Sequence, residues 1–211
     1  MRQANLIGAG ALLLAACGEK PMTLAADPAE RAATCGVVAA TEARAAVADI
    51  KTPLSLEQQG DVLRYALLHA SGGGSYDAAK AAAVVERMPA VGQDLNAKRV
   101  AALAPQCREA FPAPPSPAAL PKDPLAAALG CEALGKFMSR ALESQAEDYG
   151  SDLVRLAALN RVLDNRTAQL LRARGIAAPE AVANQSREAM AQIVGMGRPA
   201  QLLEACVGRY T

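Results

Sequence analysis

The sequence predicts an all-α protein made of two tandem four-helix units, each closed by a disulfide bond, joined by a proline-rich linker. Three observations support this fold class. Ala, Leu and Val supply most of the 52% hydrophobic residues and aromatic residues only 3%, a composition that favours closely packed helices. Apolar residues recur at helical spacing, without the alternation that is typical of strands. Finally, the starts of helices and the cysteines recur in matching positions in the two halves.

The two halves begin in the same way. Asp27-Pro28 and Asp123-Pro124 each place Asp at an N-cap and Pro at the first helical position, which is a strong start signal for a helix. A cysteine follows eight residues after each Asp, at Cys35 and Cys131. This shared register predicts a tandem duplication.

The two halves also end alike, because Cys107 and Cys206 each stand four residues before an aromatic residue. We therefore expect the pairs Cys35–Cys107 and Cys131–Cys206. Free buried thiols are the alternative. Metal binding is less favoured, because the cysteines are widely spaced and match no zinc pattern.

The first unit covers residues 27–111. Its first helix is predicted over about 28–50, with an apolar side that includes Val37, Val38 and Val47. Ser55, with Gln58 three residues later, resembles a capping box that opens a second helix over about 56–70.

The glycine-rich turn at 71–74 should end that second helix. Ser75 is expected to cap a third helix, and Pro89 to end it. A fourth helix is predicted over about 93–110, with a kink at Pro105.

Residues 112–124 form the predicted linker between the units, and six of them are prolines. Such a segment favours an extended, polyproline-like spacer. It is long enough to let the two units either dock or separate.

The second unit covers residues 125–211 and is predicted to repeat the four-helix plan. The first expected helix runs from about 125 to 148 and stops at Gly150, and the second ends at Gly175. The third runs from Pro179 to the turn at 195–197, and the fourth covers about 199–208.

The N-terminus predicts export. One cation, Arg2, precedes the apolar run 6–16, which would span roughly 16 Å as a helix and is too short for a bilayer core. Residues 1–16 are therefore interpreted as a signal peptide.

Leu14-Ala15-Ala16-Cys17 resembles the lipobox of bacterial lipoproteins. The resemblance covers these first seventeen residues only. It implies that Cys17 is acylated and becomes the mature N-terminus, with residues 17–26 as a lipidated tether. Gly18 rather than Asp after the cysteine implies delivery to the outer membrane, facing the periplasm. That compartment is oxidising, which suits paired cysteines.

Charge argues against a nucleic-acid partner. Lys and Arg total 22 and Asp and Glu total 21, and removal of Arg2 with the signal peptide balances them. A balanced surface lacks the basic patch that nucleic acids or anionic lipids require.

No catalytic, cofactor-binding or metal-binding residue is predicted, and no cofactor is expected. His69 is the only histidine and lacks a hydrolase signature around it. The Ser71–Ser75 turn lacks the lysine of a phosphate-binding loop. Asn160 and Asp164 stand one helical turn apart beside a leucine stripe, and they are the candidates for a small polar pocket between the units.

The leading functional hypothesis is a lipid-anchored helical binding or scaffold module that acts on another cell-envelope protein. An exposed apolar seam would favour it. A small-ligand binding protein with a site between the helical units is the first alternative, favoured by a cavity with convergent polar groups. An enzyme of unrecognised class is the second, favoured by a perturbed ionisable cluster.

Overall fold

The computed structural model describes residues 22–49 and 51–211, and all regular secondary structure in that part of the chain is helical. The all-α prediction is therefore confirmed. The signal peptide at 1–16, Cys17, Gly18 and the tether up to residue 21 lie outside the described residues. The helices are α1 (Pro28–Ala45), α2 (Leu56–Ala70), α3 (Ala78–Asp94), α4 (Ala97–Ala110), α5 (Pro124–Leu142), α6 (Ala146–Ala173), α7 (Pro179–Val194) and α8 (Pro199–Tyr210), with a 3-10 turn (Glu143–Gln145) before α6.

Within the described ranges, each helix is too short or too polar to cross a membrane.

Both predicted disulfide bonds are present. Cys35 of α1 is bonded to Cys107 of α4, and Cys131 of α5 is bonded to Cys206 of α8. They close loops of 72 and 75 residues, and loop-closure entropy for such lengths contributes about 4 kcal/mol to stability. Each bond therefore ties the first helix of one half of the chain to the last.

Local capping starts several helices where the sequence predicts them. The carboxylates of Asp27 and Asp123 accept hydrogen bonds from the backbone N–H of Glu30 (2.7 Å) and Ala126 (2.8 Å). The capping box at Ser55 is complete, because its side chain and that of Gln58 each accept from the other's backbone N–H.

The predicted bounds of the third helix are wrong at both ends. Asp77, not Ser75, caps α3, since its carboxylate accepts from the backbone N–H of Ala79 at 2.9 Å. Pro89 lies inside the helix. A proline leaves the carbonyl four residues earlier without its donor, and here that residue is Val85, which lies on the exposed side of α3. The helix therefore continues to Asp94.

Two further helix boundaries differ from the prediction. Helix α1 ends at Ala45, several residues before the expected end near residue 50. Helix α4 begins at Ala97 and passes through Pro105 as one continuous helix. Asn96 decides where α4 begins, because its side chain accepts from the backbone N–H of Arg99 at 3.0 Å.

The predicted break at Gly150 is also wrong. Helix α5 ends at Leu142, and α6 already contains Gly150, with a kink at Tyr149 (φ −114°, ψ 20°). The Tyr149 side chain is only 2% exposed, and its hydroxyl donates to the carbonyl of Leu54 at 2.6 Å. A contact with the first half of the chain thus accompanies the kink.

Two central helices organise the packing. Helix α1 contacts α2, α3 and α4, and α5 contacts α6, α7 and α8. Helix α2 also contacts α7 and α8. Gly60 permits a close approach of α2 to α8, because a Cβ atom there would lie only 3.3 Å from the Cβ of Pro199 and from the backbone N of Ala200. The two halves of the chain are therefore docked.

The largest buried apolar cluster spans the two halves. Leu63 and Leu67 of α2 belong to it, together with residues from each helix of the second half. The second-half members include Leu134, Met138, Leu159, Leu163, Ile193 and Leu202. A smaller cluster surrounds Cys35 and Cys107. The first half thus completes its core by burying α2 against the second.

The proline-rich segment is packed against this core and is not a free spacer. Ala118 and Leu120 pack against the main cluster, and the backbone N–H of Ala119 donates to the carbonyl of Met196 at 3.2 Å. A Cβ atom at Gly197 would lie 2.4 Å from that of Ala118, so glycine permits the close approach. The prolines prevent a helix, as predicted, but side-chain burial holds the segment in place.

Candidate functional site

A cleft of about 530 Å³ lies where the two halves and the linker meet. Helices α1, α2 and α4 provide walls from the first half, and the start of α8 provides one from the second. The lining residues are Ala39, Glu42, Ala43, Gln58, Asp61, Arg64, Tyr65, Arg108, Phe111, Ala113, Pro114, Ser116, Arg198 and Gln201.

Arg64 is the buried cation of the cleft. It lies on α2 and is 8% exposed, and one of its terminal nitrogens donates to the carbonyl of Pro112 in the linker. Its Nε atom has no hydrogen-bond partner, and in the described part of the chain no carboxylate lies within ion-pair distance. Burial lowers the pKa of Arg64 below its ordinary value, although a guanidinium stays protonated at neutral pH.

Gln201 of α8 also lines the cleft, and its Oε1 atom is buried without a donor. Arg64 and Gln201, from opposite halves of the chain, thus line one cavity, and each has an enclosed polar atom, Nε and Oε1, to which no described residue bonds. Buried polar groups nearly always have a partner. This pair therefore distinguishes the cleft from an ordinary surface depression.

The other two arginines of the cleft are paired with acids. Arg198 donates from Nε to Oδ1 of Asp61 at 2.8 Å, and from a terminal nitrogen to Glu57 at 3.1 Å. The hydrogen bond that Arg198 donates to Asp61 raises the pKa of Arg198, against the opposing effect of burial. On another side, Arg108 lies 3.6 Å from Glu42, with both side chains largely exposed.

Two aromatic rings form the apolar wall of the cleft. Tyr65 and Phe111 meet edge to face, with their ring centroids 5.2 Å apart, a favourable geometry for aromatic pairs. The guanidinium carbon of Arg64 lies 6.0 Å from the centroid of Tyr65. Burial is the main cause that raises the pKa of the Tyr65 hydroxyl. The cleft therefore combines a buried cation with an adjacent apolar surface.

Asn160 and Asp164 lie elsewhere, between α5 and α6 within the second half. Lys136 of α5 donates to Asp164 at 2.9 Å and to Glu132 at 2.5 Å. A Cβ atom at Gly135 would lie 2.5 Å from Oδ1 of Asn160, which is buried without a donor. Neither of the two predicted residues lines the cleft between the halves.

His69 and the glycine-rich turn are also separate from the cleft. His69 lies half-buried on α2. The turn borders an open depression of about 700 Å³ that also includes Lys80 and Arg187, but Asp77 there is engaged in capping α3. Across the described ranges, no three His, Cys, Asp or Glu side chains come together as a group that could hold a metal ion.

Sequence reasoning missed Arg64, Arg198 and Gln201. One signal was available for Arg64, since α2 carries apolar residues on most of its circumference, as a helix packed on several sides does. Its buried residues are Gly60, Val62, Leu63, Arg64, Ala66, Leu67 and Ala70. A charged residue in such a helix is a candidate site. Nothing local marks Arg198 or Gln201, which depend on how the halves dock.

Comparison of the chain with known proteins gave no match to a family model, to a curated protein or to a solved structure. The function is therefore inferred from the chemistry of the cleft.

Proposed function

We propose that this protein is an exported binding protein that holds a small ligand in the cleft between its two halves. The observation that carries the proposal is that Arg64 and Gln201, two side chains that each hold an unsatisfied polar atom, line one cavity of about 530 Å³. Leaving a buried polar group without a partner costs about 1–3 kcal/mol. A ligand that draws either side chain toward the cavity supplies a partner and recovers part of that free energy.

A matched pair of substitutions on α1 tests this proposal. Ala43 lines the cleft, whereas Ala45 is exposed outside it. Protein purified gently from envelopes is examined by native mass spectrometry. We expect a bound mass on the unaltered protein and on Ala45→Trp, and its loss from Ala43→Trp. A protein without bound mass, or equal occupancy of both variants, would reject the proposal.

Action on another cell-envelope protein is the second candidate. Val154 and Val162 lie about two turns apart on α6 and are 72% and 41% exposed. This is a small apolar stripe, so it favours docking less strongly than the cleft favours a ligand. Val154→Glu with Val162→Glu should abolish capture of an envelope partner from solubilised membranes, whereas Val85→Glu on α3 should not. Equal capture by both variants would exclude this face.

We further propose that lipid on Cys17 anchors the protein to the outer membrane, at the periplasmic face. The lipobox-like sequence before Cys17 and the following Gly18 support this location, and two disulfide bonds suit an oxidising compartment. Cys17→Ser should accumulate as an unprocessed precursor that lacks a diacylglycerol mass. Normal cleavage of that variant would contradict the lipid anchor.

The finer architecture, two duplicated four-helix units, is also a proposal. It is supported by the central positions of α1 and α5, by the disulfide from the first to the last helix of each half, and by N-cap dihedral angles that agree within a few degrees at Asp27 and Asp123. When α1–α4 are superposed on α5–α8, the two disulfide bonds should coincide. Disulfides that stay apart would reject the duplication.

A further inference from the structure

We propose that the ligand of the cleft is a monocarboxylate with an apolar body, whose carboxylate pairs with Arg64. This inference rests on the proposed binding function and specifies its ligand class. It follows from the buried cation that lacks a direct acid partner, the donors that line the cleft, and the apolar wall beside them.

Arg64 is the buried cation of the cleft that lacks a direct acid partner. Arg198 is bonded to Asp61 and Glu57, and Arg108 is near Glu42, whereas among the described residues no carboxylate lies within ion-pair distance of Arg64. A buried charge is strongly disfavoured unless it is paired. A single carboxylate supplies that partner. A dianion such as a phosphate monoester would bring a second charge into a cavity that Glu42 and Asp61 already line.

The donors fit a carboxylate. One terminal nitrogen of Arg64 is engaged by Pro112 and Nε is enclosed, so the other terminal nitrogen is the donor that meets no acceptor among the described residues. A carboxylate accepts well from a guanidinium. Gln201 lines the same cavity from α8, and its NH₂ group can donate to a carboxylate there. The ligand would then accept from both halves of the chain.

The remaining surface fits an apolar body. Tyr65 and Phe111 form one wall, and Ala39, Ala43 and Pro114 also line the cleft. An adjoining cleft of about 330 Å³, lined by Leu68, Pro115 and Val194 among others, also borders Arg64. A bare anion would leave this apolar surface in water, whereas burying it contributes about 25 cal/mol per Å². The cleft thus favours an amphiphilic acid over a small inorganic anion.

The test compares three probes by isothermal titration calorimetry on the full-length protein in detergent. The probes are 3-phenylpropionate, its uncharged amide, and phenyl phosphate as the dianion. We expect saturable one-to-one binding of 3-phenylpropionate, with the amide and the phosphate at least about tenfold weaker, since a charge-assisted hydrogen bond contributes about 1.5–3 kcal/mol. Equal binding of the amide, tighter binding of the phosphate, or no binding of the acid at millimolar concentration would overturn the proposal.

Three variants test whether 3-phenylpropionate binds in the cleft. Arg64→Gln should abolish binding of 3-phenylpropionate. Because substitution of a buried arginine can unfold a protein, Gln201→Glu is the second variant, and it should weaken binding at least about tenfold by charge repulsion. Gln169→Glu, on the exposed side of α6, adds the same charge elsewhere and should bind normally. Unchanged binding by Gln201→Glu of normal melting temperature would place the acid outside the cleft.

The two proposals fail separately. A native bound mass that Ala43→Trp removes, together with no preference for the acid over the amide, would retain the binding function and reject the carboxylate. Absence of both a native bound mass and probe binding would reject both.

Discussion

Arg198, at the start of α8, forms a bidentate ion pair with Asp61 of α2 and thereby joins the two halves of the chain at the edge of the cleft. The Nε–Oδ1 distance is 2.8 Å, and a second bond joins a terminal nitrogen to Oδ2. The pair lies next to Gly60, where an added Cβ atom would lie 3.3 Å from the backbone N of Ala200 in α8. A fork-to-fork pair at this position fixes the relative orientation of the two helices.

Asp61→Asn is expected to destabilise the docked fold. The substitution retains the size of the side chain but removes its charge, and loss of a partly exposed bidentate pair should lower the free energy of unfolding by about 1 kcal/mol. Urea unfolding at low and high salt measures this loss, which should shrink at high salt. The control is Glu204→Gln, because its pair with Arg155 lies within the second half and is more exposed. An equal effect of both substitutions would contradict a special role for the Asp61 pair.

Cleavage of the linker should leave the halves associated. A protease site placed at the exposed residue Ser116 breaks the covalent connection, but the shared core around Leu63 and Leu67 and the Arg198 pair remain. The cleaved protein should therefore elute as one species in size-exclusion chromatography at low micromolar concentration. Separate fragments would show that the interface between the halves is too weak to persist without the linker.

Replacing Gly130 and Gly208 by alanine should change the free energy of unfolding in opposite directions. A Cβ atom at Gly130 would lie 3.0 Å from the carbonyl oxygen of Ala189 and 3.2 Å from Ile193, so Gly130→Ala should force α5 and α7 apart and cost about 1–3 kcal/mol. Gly208 lies within α8 and has no atom within 4 Å of such a Cβ. Gly208→Ala should therefore raise the free energy of unfolding by about 0.5–1 kcal/mol. Thermal unfolding of both variants measures the signs, and two shifts in the same direction would contradict the packing described for α5 and α7.

Tyr76 should make the fold sensitive to alkaline pH. Burial raises the pKa of its hydroxyl from 10.0 to about 12, and its ring packs edge to face against Phe137. Between these values the unfolded chain loses the proton while the folded chain keeps it, so the stability present below pH 10 falls as the pH rises toward 12.

Tyrosinate absorbance should therefore show a late-titrating component that Tyr76→Phe reduces, while Tyr65, whose pKa burial also raises, still contributes to it. The variant should also lose less stability than the unaltered protein over the same pH range. A titration curve unchanged by the substitution would show that Tyr76 ionises like an exposed tyrosine.

The features that sequence analysis predicted correctly depend on neighbours along the chain. The caps at Asp27, Ser55 and Asp123 bond to backbone groups three residues away, so their effect does not require the rest of the fold. The end of α6 is similar, because Gly175 adopts the left-handed conformation (φ 67°) that favours glycine. The cysteine pairs followed from the matched register of the two halves.

The errors arose where distant contacts decide the local conformation. A break at Gly150 is reasonable from propensity, yet the kink lies at Tyr149, whose hydroxyl bonds to Leu54 and to Gln59 at 2.9 Å. The linker is predicted to be an extended spacer that allows docking or separation, and in the structure Ala118 and Leu120 are packed against the main cluster. In both cases burial against the other half outweighs the local preference.

The sequence by itself determined the helical class, most helix starts and the two disulfide pairs, because these depend on short-range hydrogen bonds, apolar periodicity and a repeated register. Only the tertiary structure decided that α2 is buried between the halves and that Arg64 and Gln201 border one cleft. The physical reason is that a cleft is formed by residues far apart in the chain. Its position depends on how two apolar faces pack, which no local pattern specifies.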